Sequence, residues 1–233
     1  MSTPLTPDAA RALLGSRGWL SAVPADFRDA FLGACRPRSI AAGELFSLAG
    51  DDAAAGLGIY GVVSGQVAVT SAMNSAEAPV GLLFNPGGWG GYAPLIRPVR
   101  LANSRATTAT MILHVSIAEV RRMLADRPDW WQPVATLTFE AGLVYARIAV
   151  DLLLNRTDRR LAAILLHQAG CRHAGQPADL HLSQIEIAEM INLSRYPTRQ
   201  LLAAFEERGW LAQSYRRIKI LDPAQLRRLA DGG

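Results

Sequence analysis

Residues 182–211 read LSQIEIAEMINLSRYPTRQLLAAFEERGWL, and their spacing predicts two short helices joined by a tight turn. Ser183 carries a hydroxyl that can accept from a free N–H at the start of a first helix, and Glu186, three residues on, completes a capping box. That helix is expected over 184–191, with Ile187, Ala188 and Ile191 repeating along one buried face. Asn192 then breaks it, because Asn tolerates the left-handed backbone of a sharp turn, and Leu193 can tuck back into the gap. Ser194 opens the second helix. Pro197 falls in its first turn, where a missing N–H costs nothing, and Gly209 ends it. Leu201, Leu202 and Phe205 are expected to point inward, leaving Arg195, Tyr196, Arg199 and Gln200 on the N-terminal half. Such side chains suit the major groove: Arg donates twice to guanine, Gln pairs with adenine, and the free N–H groups of the helix start favour a phosphate. An ordinary helical hairpin shares this spacing, so the flanking sequence has to discriminate.

After Gly209 comes WLAQSYRRIKILD. Ile218, Lys219 and Ile220 alternate as a half-buried strand does, and Arg216 and Arg217 stand near a turn at Ser214 and Tyr215. The arrangement resembles the wing of a winged helix, with residues 180–182 as the short strand that pairs with it. Ser183, Ser194, Arg216, Arg217 and Lys219 are the candidate phosphate contacts. Residues 156–233 hold twelve Arg and Lys against eight Asp and Glu, whereas residues 1–155 hold twelve of each. The whole positive excess therefore lies at this end, as a polyanionic partner favours through counterion release.

With 233 residues, half of them hydrophobic, the chain can bury a core in one or two domains. No run of about eighteen uncharged apolar residues appears, and MSTPLTPDAARALL lacks the basic start and apolar stretch of a secretion signal. A cytoplasmic protein without a membrane partner is expected. Cys35 and Cys171 stand far apart and outside any CxxC pattern, which excludes a disulfide framework and an iron–sulfur cluster. They are expected to be plain thiols.

Between Arg38 and Val115 short apolar runs alternate with Gly, Asn, Pro and Asp, the texture of an antiparallel roll. Strands are expected over 45–48, on either side of Ser64 and Gly65 as a hairpin within 58–71, over 80–84, and within 104–115. The fold class is α+β.

The order AGELFSLAGD, YGVVSGQVAV, a proline-glycine turn with GxxxPL, then RATTAT resembles the cyclic-nucleotide-binding roll of the cyclic AMP receptor and fumarate-nitrate regulator (Crp/Fnr) family. SRYPTRQLL and ILDPAQLRRLA resemble that family's winged helix. The similarity covers roughly residues 36–225 and implies a homodimeric bacterial transcription regulator, with an effector roll, a long dimer helix and a DNA-reading module. Nucleotide-binding members meet the ribose with a glycine-glutamate pair and the cyclic phosphate with an arginine shortly before an Ala-Thr step. This chain has Gly90 and Gly91 at the first place. At the second it has Ser104, or Arg105 if the alignment slips by one residue. Each lost charged contact costs about 1.5–3 kcal/mol, so cyclic AMP is not the expected ligand. Arg97, Arg100 and Arg105 remain candidates for another anionic effector, and the roll need not bind any effector at all. Some relatives sense gases through iron, yet the roll holds only His114, and His167, His173 and His181 follow no metal-site spacing. No metal, haem or other cofactor is expected.

From Asp129 to Asp158 the only glycine is Gly142, and a long helix is expected. Val134, Leu137, Ala141, Val144 and Ile148 step by alternating three and four residues, the spacing of a coiled-coil seam, while Leu143, Val150 and Leu154 can face the roll. Residues 155–158 are the candidate hinge. The resulting division is 1–125 (roll and flanking helices), 126–156 (dimer helix and hinge) and 157–233 (winged helix).

A two-fold dimer would place two recognition helices in successive major grooves of a palindromic duplex, roughly 34 Å apart. The expected function is thus a sequence-specific regulator without enzymatic activity, with RNA polymerase as a further partner. The alternative is a small-molecule sensor acting mainly through protein contacts. A cupin-like metalloenzyme would need two or more converging histidines in the roll, which has one.

Overall fold

The computed structural model describes residues 6–52, 57–71 and 79–233. They form two units, Met1–Ala78 with Phe84–Gly142, and Pro79–Leu83 with Leu143–Gly233.

The first unit begins with helix α1 (Pro7–Gly15), where Pro7 opens the helix and Thr6 caps it by accepting from the Ala9 N–H. Helix α2 (Ala25–Ala34) follows. Next come strands β1 (Arg36–Ile40), β2 (Leu45–Ser47), β3 (Ile59–Ser64) and β4 (Val67–Ser71). Next in the chain is β5 (Val80–Phe84), which up to Leu83 belongs to the second unit; within the first, β6 (Trp89–Gly90), β7 (Ala102–Ala106) and β8 (Thr110–Val115) complete the roll. Helix α3 (Ile117–Asp126) is capped by Ser116, which accepts from the Glu119 N–H. One antiparallel sheet has the order β1-β8-β3-β6, and in the other β7 lies between β2 and β4.

The antiparallel roll is as expected, but its central turn is not. The hairpin expected within 58–71 does not form: β3 pairs with β8 and β6, whereas β4 pairs with β7. Gly65 is the corner at which the chain changes sheets. Its φ is +80°, and a Cβ there would lie 2.5 Å from the Ala109 carbonyl oxygen. Only glycine fits such an approach. The segment expected to close the sheet, 104–115, is divided between two sheets, with β7 in one and β8 in the other.

A core of Ala10, Leu14, Trp19, Phe27, Phe31 and Trp89 joins the N-terminal helices to β3, β8, α3 and the start of the long helix α4 (Trp131–Leu152). Trp19 meets Phe31 and Trp89 edge-on at 5.3 and 5.6 Å, a favoured quadrupole geometry. Its indole N–H donates to the Pro133 carbonyl at 2.6 Å, so this buried donor is satisfied.

Helix α4 corrects the expected seam. Val134 and Leu137 are buried in the core of the first unit, Ile148 is buried too, and Ala141 and Val144 are half-buried. The outward stripe is Ala135, Phe139, Gly142, Ala146, Ala149 and, just past the helix end, Leu153. It has the same alternating three- and four-residue spacing, displaced by five positions or about 140° around the helix. Val150, expected to face the roll, is 65% exposed. A core stripe and a dimer seam share one period, so periodicity alone does not say which is which. By length and composition alone Pro128–Leu152 is also apolar enough to cross a membrane, and 22% of its most apolar window is buried.

In the second unit the non-helical link covers 153–156, and Thr157 and Asp158 of the expected hinge belong to α5 (Thr157–Gln168). Then come α6 (Gln184–Met190), α7 (Arg195–Glu207), β9 (Leu211–Ser214), β10 (Arg217–Ile220) and α8 (Pro223–Asp231). Asp222 caps α8 by accepting from the Ala224 and Gln225 N–H groups. Buried Gln168 accepts from the Leu83 N–H at 2.8 Å.

Candidate nucleic-acid interface

The turn between α6 and α7 forms for the reasons its residues supply. Ser183 accepts from the Glu186 N–H at 3.2 Å, and Glu186 Oε2 accepts from the Ser183 N–H and hydroxyl, both at 2.7 Å. Asn192 has φ +50°, and the Leu193 N–H reaches back to the Ala188 carbonyl at 2.9 Å, closing the helix end. Ser194 stands at the N-cap of α7 without a side-chain cap bond.

Ile187, Ala188, Ile191, Leu202 and Phe205 are buried, and Leu201 is only half-buried. Hydrophobic spacing does not place Thr198 inside, yet it is fully buried, its hydroxyl satisfied by the Ser194 carbonyl at 3.0 Å. That bond lets a polar residue take an inward position at low cost.

With the inner face filled, Arg195, Tyr196, Arg199 and Gln200 are all exposed. Gln200 Nε2 donates to the Tyr196 hydroxyl at 3.0 Å, and the Arg199 guanidinium carbon lies 5.7 Å from the Tyr196 ring centre. This pre-orders three of the four side chains on one helical surface while leaving their remaining donors and acceptors outward.

The wing is the β9–β10 hairpin, in the register Arg217↔Ser214 to Ile220↔Leu211. Leu180 bridges to Ile218 as the third strand position, while His181 and Leu182 lie outside any strand. Ile218 and Ile220 are buried, and Arg217 and Lys219 share the exposed face. Two of the wing cations already have acidic partners. Arg216 Nη2 donates to Glu186 Oε2 at 3.1 Å, and Arg217 Nε donates to Asp179 Oδ2 at 3.0 Å. These partners lie 30 and 38 residues away, beyond what local patterning can reveal.

A half-buried network stabilises the unit that carries this surface. Asp151 Oδ2 accepts from His167 Nε2 and Arg172 Nε, each at 2.8 Å, and Arg172 also pairs with Asp231 at 2.9 Å. Burial pushes the Asp151 carboxyl up, but hydrogen bonds from Arg172 and His167 outweigh it and hold the group below the usual carboxylate range. Burial lowers the His167 imidazole, against the pull of Asp151, so the neutral ring donates to the carboxylate. Both shifts have one sign. The unfolded chain binds protons more readily than the folded one, so stability is full above the unfolded histidine value near 6.5 and is lost as pH falls below it. Lowered His114 and His181, also desolvated, act in the same direction. Thermal melts should therefore show a lower Tm at about pH 5.5 than at about pH 7.5, with a shallower dependence in His167→Gln. A wild-type Tm that is flat across this window would contradict the assignment.

In the roll, the candidate effector residues disperse. Arg97 is exposed and Arg105 half-buried on β7, whereas Ser104 points inward and its hydroxyl lies 2.8 Å from the Tyr60 hydroxyl. A Cβ on Gly90 would approach that same hydroxyl at 2.8 Å. Gly91 has φ +78°. Arg100 is buried and donates to the Leu57 carbonyl, and desolvation lowers its guanidinium, opposed by Asp51 and Tyr60. Tyr60 is thus the hub that brings together Ser104 and Gly90, and Phe46 and Phe84 pack edge-on against its ring at 5.3 and 6.3 Å. A lone tyrosine in an apolar strand gives no local signal of that role. Cys35 and Cys171 are buried free thiols, Cys35 pushed up by burial to about 12.

An antiparallel roll, a long helix and a winged helix-turn-helix define a class of DNA-binding regulators. Residues 159–229 match the family model described as the Crp-like helix-turn-helix domain. The chain is 26% identical over 178 residues to the CRP-like cAMP-activated global transcriptional regulator of Mycobacterium tuberculosis, covering 74% of this chain and 79% of that protein. Two solved structures share the fold. A CRP-family transcriptional regulator of Thermus thermophilus has a TM-score of 0.64 at 21% identity, over 84% of this chain and 97% of the other. The c-di-GMP responsive global regulator of Xanthomonas campestris has a TM-score of 0.61 at 18% identity, over 84% and 99%. Residues 159–229 thus form a Crp-like helix-turn-helix domain, and the chain as a whole is similar to transcriptional regulators of the Crp/Fnr type.

Proposed function

We propose that this regulator is a cytoplasmic homodimer that binds a palindromic DNA site sequence-specifically and does not answer to cyclic AMP. The single observation that carries the reading is the tip of α7, where Arg195, Tyr196, Arg199 and Gln200 are all exposed beside a basic wing. Arg195, Tyr196, Arg199 and Gln200 read base edges. Phosphates are met by Arg216, Arg217 and Lys219 of the wing, together with Ser194 and the free N–H groups at the start of α7. Ser183, whose hydroxyl is engaged in the capping box, contributes through its place at the start of α6. Arg217 exchanges its carboxylate for phosphate on binding, Arg216 keeps its Nη2 bond to Glu186 and meets phosphate with its remaining donors, and Lys219 gives up no ion pair seen among the described residues.

Dimerisation uses the outward stripe of α4, from Ala135 to Leu153. That stripe is apolar or small at every position, and a Cβ placed on Gly142 would meet nothing within 4 Å. Two such helices can approach closely at Gly142, Ala146 and Ala149.

The effector reading rests on the roll's inner face. Where a cyclic phosphate would need a guanidinium, Ser104 faces inward and is bonded to Tyr60, and neither Gly90 nor Gly91 offers a carboxylate to ribose hydroxyls. The relatives named above are described as cAMP-activated and c-di-GMP responsive, so one architecture serves different effectors, and any effector must bind two dimer arrangements unequally to act. RNA polymerase is the further protein partner such a regulator would meet.

The test is salt-dependent titration of duplexes enriched by the protein from a randomised pool. Lys219→Ala should weaken enriched and random duplexes alike and reduce the slope of log K against log salt by about 1 per site. Failure to enrich or bind any duplex at low salt would favour the rival reading, a sensor acting through protein contacts.

A further inference from the structure

The turn that closes the wing breaks the local rules for a two-residue hairpin. Ser214 pairs with Arg217, so Tyr215 and Arg216 form the turn, where Asn-Gly or another glycine pair is the low-strain choice. Arg216 has φ +51°, in the region that a residue bearing a Cβ adopts at a cost. Its guanidinium is anchored to Glu186, which ties the turn to the start of α6 and fixes the tip. Tyr215 is 92% exposed, the highest value among the exposed large hydrophobic side chains. Among the described residues it makes no ring contact and no hydrogen bond. An aromatic ring held in water on a fixed turn leaves its burial to a partner.

The charge around it selects the partner. Residues 214–220, SYRRIKI, contain three cations and no acid, and Arg217 and Lys219 lie on the same exposed face of β10. An acidic or purely apolar protein surface would match only one part of this tip. A DNA minor groove matches both, since phosphates line its walls and apolar or aromatic wedges enter between its sugars and base edges.

We propose that Tyr215 is a DNA-contacting residue that enters the minor groove flanking each half-site, so that affinity depends on base pairs outside those read by α7. This rests on the DNA-binding reading above and adds a contact to it. With Arg216 and Glu186 holding the turn, the tyrosine ring arrives pre-oriented, and little ordering is required on binding.

The experiment uses the full chain and a palindromic duplex enriched from a randomised pool, prepared in two lengths. One ends at the outermost base pair of the enriched half-sites, and the other extends about six base pairs further on each side, a distance that covers the adjacent minor groove. Binding is followed by fluorescence anisotropy at fixed salt. Wild type should bind the extended duplex on the order of tenfold more tightly, as expected when an inserted side chain gains a partner. Tyr215→Ala should bring the ratio close to one while leaving affinity for the trimmed duplex unchanged, and Tyr215→Phe should keep most of the gain. Circular dichroism confirms that the variants fold. A flank gain that survives Tyr215→Ala, or its absence in wild type, overturns the proposal. Failure of the pool to enrich any duplex overturns instead the DNA-binding reading beneath it.

Discussion

Ala146→Arg should convert the protein to monomers and weaken binding to a two-half-site operator by about 10²- to 10⁴-fold, the loss expected when linked binding becomes independent. Ala146 lies at the centre of the outward stripe of α4, flanked by Gly142 and Ala149, where facing helices have no room for a guanidinium. Across a two-fold axis the two introduced charges would also face each other with little water between them. Binding to a single half-site should be unchanged, because Ala146 belongs to neither α7 nor the wing. Leu137→Ala is the complementary variant. Leu137 is buried in the first unit, so its truncation should cost about 2–5 kcal/mol of stability and leave the oligomeric state intact. Light scattering coupled to gel filtration, with circular dichroism to confirm folding, separates the two outcomes. If Ala146→Arg remains a dimer, or Leu137→Ala yields folded monomers, the inner stripe is the interface after all.

The contrast between these variants marks where local sequence ceases to determine structure. The capping box at Ser183 and Glu186, the left-handed Asn192 and the alternating β10 are legible because each depends on residues within four positions of one another. The inward set of α7 is nearly so. Leu202 and Phe205 lie where the period puts them, but Thr198 joins them through a hydroxyl bond to the carbonyl at the helix N-cap, which hydrophobic spacing cannot register. On α4 two apolar stripes share one period, and only the packed core around Trp19 and Phe27 decides which stripe the chain buries in itself. At Gly65 a short apolar strand, a glycine and another short apolar strand describe a hairpin and a sheet-changing corner equally well. The ladder with β8 on one side and β7 on the other decides between them, and both partners lie tens of residues away. The same distance hides the Glu186–Arg216 and Asp179–Arg217 pairs. Family resemblance supplies the roll as a whole, yet the position of Tyr60 at its centre follows only from three-dimensional packing.

Arg195→Ala should relax base preference at one position of each half-site and cost about 1–3 kcal/mol there, so a symmetric operator loses roughly twice that. Arg195 is the first residue of α7 and is exposed, with no acidic partner among the described residues to compete for its guanidinium. Two parallel donors can therefore meet the O6 and N7 atoms of one guanine, a geometry that no other base pair reproduces. Loss of the side chain removes that discrimination and one phosphate-directed charge together. The two effects separate on random DNA, where only the charge matters. Affinity for the enriched palindrome should fall by about one and a half to four orders of magnitude more than affinity for random duplex, at about 1.4 kcal/mol for each factor of ten. Repeating the enrichment with the variant should show one degenerate position per half-site and the others intact. Arg199→Ala is a useful comparison because its guanidinium rests over Tyr196: its removal should also free Tyr196 and Gln200 from their shared arrangement and blur more than one position. An Arg195 variant that loses equal affinity for enriched and random DNA would make this residue a phosphate contact and shift base reading to Tyr196, Arg199 and Gln200.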